Sequence, residues 1–296
     1  MGGMRDIGRR LRTVKGTAKI TRAMQLVAGS KMRKAQQAAA AGRRHAFRLE
    51  ELTDRLVWLG LDSRRKAPLL DRREVRCRGI VFVATDRGLC GSLNQNTLRL
   101  IRESAIAADG KYVTVGKKGT QLLNTLRLPL LGEFSINDGV PYNQARALAN
   151  FLRDAYLSHQ IDSVEFAYPL FVNTLRQEPV LVRLLPMDGL AENLRRRWEL
   201  LTGDGERLPE DSRELCLEPS LERILEALLE SFFQREVYHI LLEAKASEQS
   251  SRTVAMKGAT DNADALAKEL TLAFNKARQA AITEEILEIT VSGAME

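Results

Sequence analysis

The chain offers few residues able to make or break a bond. Cys90 follows a glycine-bearing turn in ATDRGLCGSLN (84–94), a position where α/β folds often bind ligands. A cysteine becomes a nucleophile beside a base that takes its proton, and nothing in the sequence points to one; a buried structural thiol is the plainer reading. Gly88 and Gly91 do not make the G-x-G-x-x-G spacing of a dinucleotide turn. GKKGT (116–120) is only superficially like a phosphate loop, because it lacks the G-x-x-x-x-G-K-[ST] spacing that wraps backbone amides around a phosphate. A tight strand-to-helix turn accounts for those glycines. Glu284 and Glu288 stand one helical turn apart, where a solvated face is the ordinary explanation. Cys77, Cys90 and Cys216 form no CxxC pair, and His45, His159 and His239 have no metal-ligand spacing. No catalytic residue, metal site or cofactor is therefore expected.

Long helices at both ends frame this chemistry-poor middle. All eight prolines lie between Pro68 and Pro219. A proline inside a helix costs about 3 kcal/mol, so the proline-free ends suit long helices. Ile7, Leu11, Val14 and Ala18 follow one another at 4, 3, 4, and Met24, Val27, Ala28, Met32 and Ala35 carry the stripe on towards Leu49, Leu52, Leu56 and Leu59. A helix over 5–60 would reach roughly 80 Å. At the other end Leu221, Leu225, Leu228 and Phe232 open a stripe that Ala263, Leu266, Leu270, Ala273 and Ala277 continue at 3, 4, 3, 4. Stripes near 3.5 residues bury themselves against another helix in a left-handed coiled coil; two helices of an ordinary bundle are the bland alternative.

Between them, 79–85 (GIVFVAT), 111–116, 163–172 and 179–185 read as strands, and 94–107, 117–126 and 141–159 as helices. Strands alternating with helices indicate a mostly parallel sheet with helices packed on it, a Rossmann-like α/β domain. The expected organisation is an N-terminal coiled-coil helix (1–65), a central α/β domain (75–190), a polar loop or insertion (187–218) and a C-terminal coiled-coil helix (219–296).

Composition narrows the function classes. Of 296 residues, 44% are hydrophobic and 28% charged, enough apolar material for a core and too much for wholesale disorder. No run of about 18 apolar residues appears, so direct membrane insertion is not expected. Residues 1–76 hold 20 Lys/Arg against 7 Asp/Glu, and in 1–48 the only acid is Asp6. Such a footprint suits nucleic acid, anionic lipid or an acidic protein partner. A basic coiled-coil nucleic-acid binder is weakened by the scarcity of aromatics there, Phe47 alone in 1–48. A Rossmann-like nucleotide enzyme is weakened by the missing glycine fingerprints. A removable presequence is disfavoured, since Ser30 is the only serine in those 48 residues.

Four blocks, KITRAMQLVAGSKMRKAQ (19–36), TDRGLCGSLN (85–94), ASEQSSRTVAMKGATDNA (246–263) and FNKARQAAITEEILEI (274–289), resemble the gamma subunit of F-type ATP synthases, in the same order and from both ends and the middle. The resemblance implies a long antiparallel coiled coil of the two terminal helices inside a ring of three alpha and three beta subunits. It implies a central domain beside the epsilon subunit and the c-subunit ring, torque transmission without bond chemistry, and coupling of proton or sodium transport to ATP synthesis. The expected location is the cytoplasmic face of a bacterial inner membrane, with no nucleic acid bound. The resemblance also assigns ring contacts to Met24, Arg252, Arg278, Gln279, Thr283 and Glu285; for each the plain alternative is a solvated helix residue. Departures are four residues between Glu288 and Gly293 where the family usually has three, Thr253 where it often has methionine, and no counterpart of the chloroplast form's regulatory cysteine pair.

Overall fold

The computed structural model describes residues 2–59, 68–71, 73–104, 110–187 and 220–293, with side chains at all of them except 2–4, 39–59, 221–222, 284–285 and 288–293. From residue 188 onward the expected polar insertion lies outside the described residues. Two helices bound the chain, α1 (Gly2–Leu59) and α5 (Leu221–Gly293). Between them come β1 (Arg78–Val83), α2 (Leu93–Glu103), β2 (Gly110–Val115), α3 (Lys117–Thr125), β3 (Leu130–Phe134), α4 (Tyr142–Leu157), β4 (Ser163–Phe171) and β5 (Gln177–Leu185). The chain divides into two compact units, residues 1–29 with 252–296, and residues 30–251.

The first unit is an antiparallel helix pair. On α1 the residues withdrawn from water include a stripe of Ile7, Leu11, Val14, Ala18, Thr21, Gln25 and Ala28, at 4, 3, 4, 3, 4, 3. On α5 they include Met256, Thr260, Ala263, Ala267, Leu270, Phe274, Ala277 and Ala281, at 4, 3, 4, 3, 4, 3, 4. Both are seven-residue repeats, the signature of a coiled-coil seam. The C-terminal seam differs from the stripe expected from sequence: Leu266 is 45% exposed and Ala273 is exposed, while Ala267 and Phe274 take their places. Packing decides between the two stripes. The Phe274 ring lies against Gly8, where a Cβ would sit 3.2 Å from it, so the bulky residue faces the position without a side chain.

The second unit is a five-stranded sheet in the order β3-β2-β1-β4-β5, parallel except for the antiparallel β4–β5 pair. Alternation along β1 shows how the sheet buries both faces. Ile80 and Phe82 join Leu98, Ile101, Tyr112 and Leu123 in one core, and Val81 and Val83 join the other. Into that larger core α4 turns Ala145, Leu148, Ala149, Leu152, Ala155 and Tyr156, one face of an amphipathic helix. The first part of α5 completes it with Leu225, Leu229, Phe232, Phe233, Val237 and Ile240. Of the stripe expected from Leu221, the residues Leu225, Leu228 and Phe232 thus serve the α/β core rather than a two-helix seam, and the Leu221 side chain lies outside the described ones. Each fully buried large aliphatic or aromatic side chain contributes about 1.5–3 kcal/mol.

Strand β3 has no counterpart in the sequence reading. Pro129 precedes it and Gly132 lies within it, both discouraging signals for a strand. It is tolerated because it is an edge strand, and the Pro129 carbonyl accepts the Tyr112 amide at 2.9 Å.

Candidate functional site

In the helix pair, the seam carries small and polar side chains at its centre. Thr21 and Thr260 are buried and their hydroxyl oxygens lie 2.7 Å apart across the seam. The Arg22 guanidinium donates to Asp264 at 2.8 Å on the flank. With both groups about half or more exposed, that ion pair is worth about 0–1 kcal/mol. Together with Gly8 against Phe274, these contacts fix one antiparallel register, the role a single polar seam residue often plays.

Outside the seam, α1 presents Arg9, Arg10, Arg12, Lys15, Lys19, Arg22, Arg33 and Lys34 to solvent. Within the described residues Arg9 is matched by Asp6 and Arg22 by Asp264, which leaves the face strongly basic. Ile20 and Val27 lie on the surface too, at 63% and 55% exposure, although the stripe expected from sequence counted Val27 as apolar packing. The face thus combines positive charge with exposed aliphatic side chains.

The six residues singled out by resemblance fall in separate places. Met24 is half-buried, next to the seam residue Gln25. Arg252 is buried near the start of the α5 portion of the pair. Arg278, Gln279 and Thr283 are exposed, and the Thr283 hydroxyl donates to the Gln279 carbonyl at 2.9 Å. Residue 285 lies on the same stretch of helix, with its side chain outside the described ones. With Thr21 opposite Thr260 and Gly8 opposite Phe274, Met24 stands near the level of residue 257. The group at 278–285 is therefore a separate cluster, roughly 30 Å further along α5.

In the α/β unit, the carboxyl ends of β1 and β2 meet Lys245 and Glu248 of α5 at a cavity also lined by Thr85, Asp86 and Gly116. Its volume is about 20 Å³, room for one water and far too little for a nucleotide. In the turn into α3 the GKKGT segment is met by a carboxylate. Asp86 Oδ1 accepts the Lys117 amide at 3.2 Å and the Ser135 hydroxyl at 3.3 Å, so the protein's own carboxylate occupies the helix start. Gly116 has φ +98°, and a Cβ there would lie 2.5 Å from the Ala84 carbonyl oxygen; only glycine fits. Cys90 is buried, its sulfur 3.7 Å from both Thr85 Oγ1 and Asn94 Nδ2, in a small polar network that closes the β1–α2 turn.

Sequence reasoning missed a junction on the β3–α4 loop. Asp138 accepts from Lys31 of α1 at 2.6 Å and from Lys245 of α5 at 3.5 Å, and Lys245 also donates to Glu248 at 3.0 Å. The Lys31 hydrogen bond, aided by the charge of Lys245, holds the Asp138 carboxyl below its ordinary value of 3.8, against the upward pull of partial burial. Residues 107 apart in both directions meet here, and no local spacing announces it.

The chain thus holds an α/β unit and an antiparallel helix pair, with α1 basic and exposed outside its seam. Residues 3–295 match the family model described as ATP synthase. The ATP synthase gamma chain of Opitutus terrae is 44% identical over 294 residues, spanning 99% of this chain and 98% of that one. That of Methylacidiphilum infernorum is 39% identical over 299 residues, spanning 99% and 98%. Among solved structures, the central stalk and c-ring of Tetrahymena thermophila mitochondrial ATP synthase contains a chain with TM-score 0.58 and 25% identity, covering 81% of this chain and 99% of that chain. A chain of the Euglena gracilis mitochondrial ATP synthase, at TM-score 0.68 and 19% identity over 98% of this chain and 93% of that one, shares the fold. The chain belongs to the ATP synthase gamma chain family.

Proposed function

We propose that this chain is the non-catalytic central rotor shaft of an F-type ATP synthase. It passes torque from an ion-driven c ring to three alpha and three beta subunits, and so couples proton or sodium transport to ATP synthesis. The observation that carries this reading is the match over essentially the whole chain to gamma chains, joined to an antiparallel seam whose two repeats run without proline or interruption. Each ion crossing the membrane yields about 2.3 kcal/mol per 100 mV, so several ions' worth of work must pass through the shaft. Two helices locked along a seam resist twisting in a way that one helix does not, and small seam residues keep the pair slender.

In this reading 1–65 and 219–296 supply the shaft, and 75–190 the body that faces the epsilon subunit and the c ring. Met24 and the basic stretch from Lys15 to Lys34 meet an acidic loop of a beta subunit. Arg278, Gln279, Thr283 and Glu285 make polar contacts with the ring near the end of α5, and Arg252 supports coupling from within the shaft. The chain works as a peripheral subunit at the cytoplasmic face of a bacterial inner membrane. None of the described helices is long and apolar enough to cross a membrane, so its hold on the membrane comes through the c ring.

Reconstitution tests the reading. Ring subunits and membrane sector lacking this chain are expected to lose ion-coupled ATP synthesis and regain it when the chain is added. Full recovery with a chain deleted after residue 200 would refute the two-helix shaft.

A further inference from the structure

The loop that joins β3 to α4 carries two unusual features. The first is strain. Val140 adopts φ +44°, the left-handed region that a β-branched residue avoids, whereas Gly139 beside it, better suited to that conformation, does not adopt it. Such a conformation persists only where the surroundings over-determine it. Here Val140 is 1% exposed in the larger core, and its amide donates to the Asn137 carbonyl at 2.8 Å in a tight turn. The second feature is what that turn presents: Asp138, held between Lys31 on α1 and Lys245 on α5. Lys245 is mostly buried and its second partner Glu248 more so, which fixes the α5 side of the junction. Ser135 ties the start of the same loop to Asp86 on the β1–α2 turn.

We infer that the β3–α4 loop is a clamp, with Asp138 as a positioning residue that holds the α1 segment at Lys31 and the α5 segment at Lys245 to one point within the unit 30–251. The clamp needs the turn to be rigid, and the buried valine makes it so: relaxing Val140 would withdraw its side chain from the core. One carboxylate shared by two ammonium groups from different helices holds both helices to one point, which two separate pairs would not do. The pair does not itself bear the torque; helix packing does. It fixes where these α1 and α5 segments meet the β3–α4 loop, so its loss loosens that junction within the unit 30–251.

This inference rests on the rotor reading, and the test separates the two. Full-length chains with Asp138→Asn, Asp138→Glu and Lys31→Gln are assembled into the ATP synthase in sealed vesicles, and ion uptake per ATP hydrolysed is measured. Amide exchange at residues 137–140 is followed in the same chains. Asp138→Asn and Lys31→Gln are expected to speed exchange at Gly139 and Val140 about fivefold, the change expected from losing one partly buried ion pair. Uptake per ATP should fall while hydrolysis itself is retained, and Asp138→Glu should restore both readouts. Faster exchange with an unaltered ratio would overturn the positioning role, and unchanged exchange would overturn the clamp. Failure of the unsubstituted chain to restore coupling at all would instead remove the rotor reading, and this inference with it.

Discussion

Replacing Thr260 by valine tests whether the seam hydroxyls are a register device or a source of adhesion. Thr21 Oγ1 lies 3.1 Å from the Ala18 carbonyl, Thr260 Oγ1 lies 2.8 Å from the Met256 carbonyl, and the two hydroxyls are 2.7 Å from each other. Two protons serve three contacts. Whichever hydroxyl donates across the seam gives up the hydrogen bond to its own helix. The cross-seam bond is thus exchanged for an existing one, and its net worth lies at the low end of the usual 0.5–1.5 kcal/mol range. After Thr260→Val, Thr21 still donates to Ala18, so no buried donor is stranded and the penalty of 1–3 kcal/mol for an unmade bond does not apply. The single substitutions are expected to cost about 0.5–1 kcal/mol each, and the double Thr21→Val/Thr260→Val less than their sum, with a coupling energy of about 0.5 kcal/mol. Amide exchange at residues 256–264 in the full-length chain reads the opening of this helix pair directly. A coupling energy of about 2 kcal/mol or more would refute the proton count, and one indistinguishable from zero would refute the contact.

Three further outcomes follow from the geometry. Ala267→Leu, at a seam position only 8% exposed, should destabilise the helix pair by about 1–3 kcal/mol through overpacking, while Leu266→Ala one residue earlier should cost under about 1 kcal/mol; urea unfolding monitored by helical circular dichroism decides whether the seam runs through 267. Gly116→Ala should destabilise the α/β unit by about 3 kcal/mol or more, because it combines a positive φ with a Cβ only 2.5 Å from a carbonyl oxygen, and a reduced urea midpoint would show it. Asp138 has a depressed folded value, so its contribution is present above 3.8 and is lost as pH falls through that lower folded value. The stability gap between the unsubstituted chain and Asp138→Asn should therefore be constant from pH 7 to about 5 and shrink below pH 4 in chemical denaturation.

The α/β body was legible because its strands announce themselves by period. Ile80 to Val83 alternate between two cores, and such a run bounded by turn residues admits few other readings. Strand β3 was not legible, since Pro129 and Gly132 suppress the signal and edge position, a property of the whole sheet, rescues it. The seam was legible as a repeat but not in its phase. Leu266 and Ala267 both continue a 3, 4 spacing, and only the partner helix, with Gly8 set against Phe274, selects one. Likewise Leu225 and Phe232 carried helical periodicity without saying whether a helix or a sheet would cover them. Of the candidate contacts, Met24, Arg252 and the 278–285 group came from family likeness, because an exposed Arg278 has no spacing that distinguishes it from any solvated arginine. The Asp138 junction was illegible for the opposite reason: it is pure tertiary structure, uniting three segments distant in the chain.

The way α5 completes the larger core has a consequence for biosynthesis. Leu225, Leu229, Phe232 and Phe233 close a face whose strands span residues 78–185, so the sheet is made before its cover. At translation rates of 5–20 residues per second, the roughly 40 residues from the end of β5 to Leu225 take about 2–8 s to emerge. Throughout that interval the nascent sheet displays Val81, Val113, Phe166 and Leu170 without their final neighbours. Until that segment of α5 arrives, the sheet's need for a chaperone is greatest.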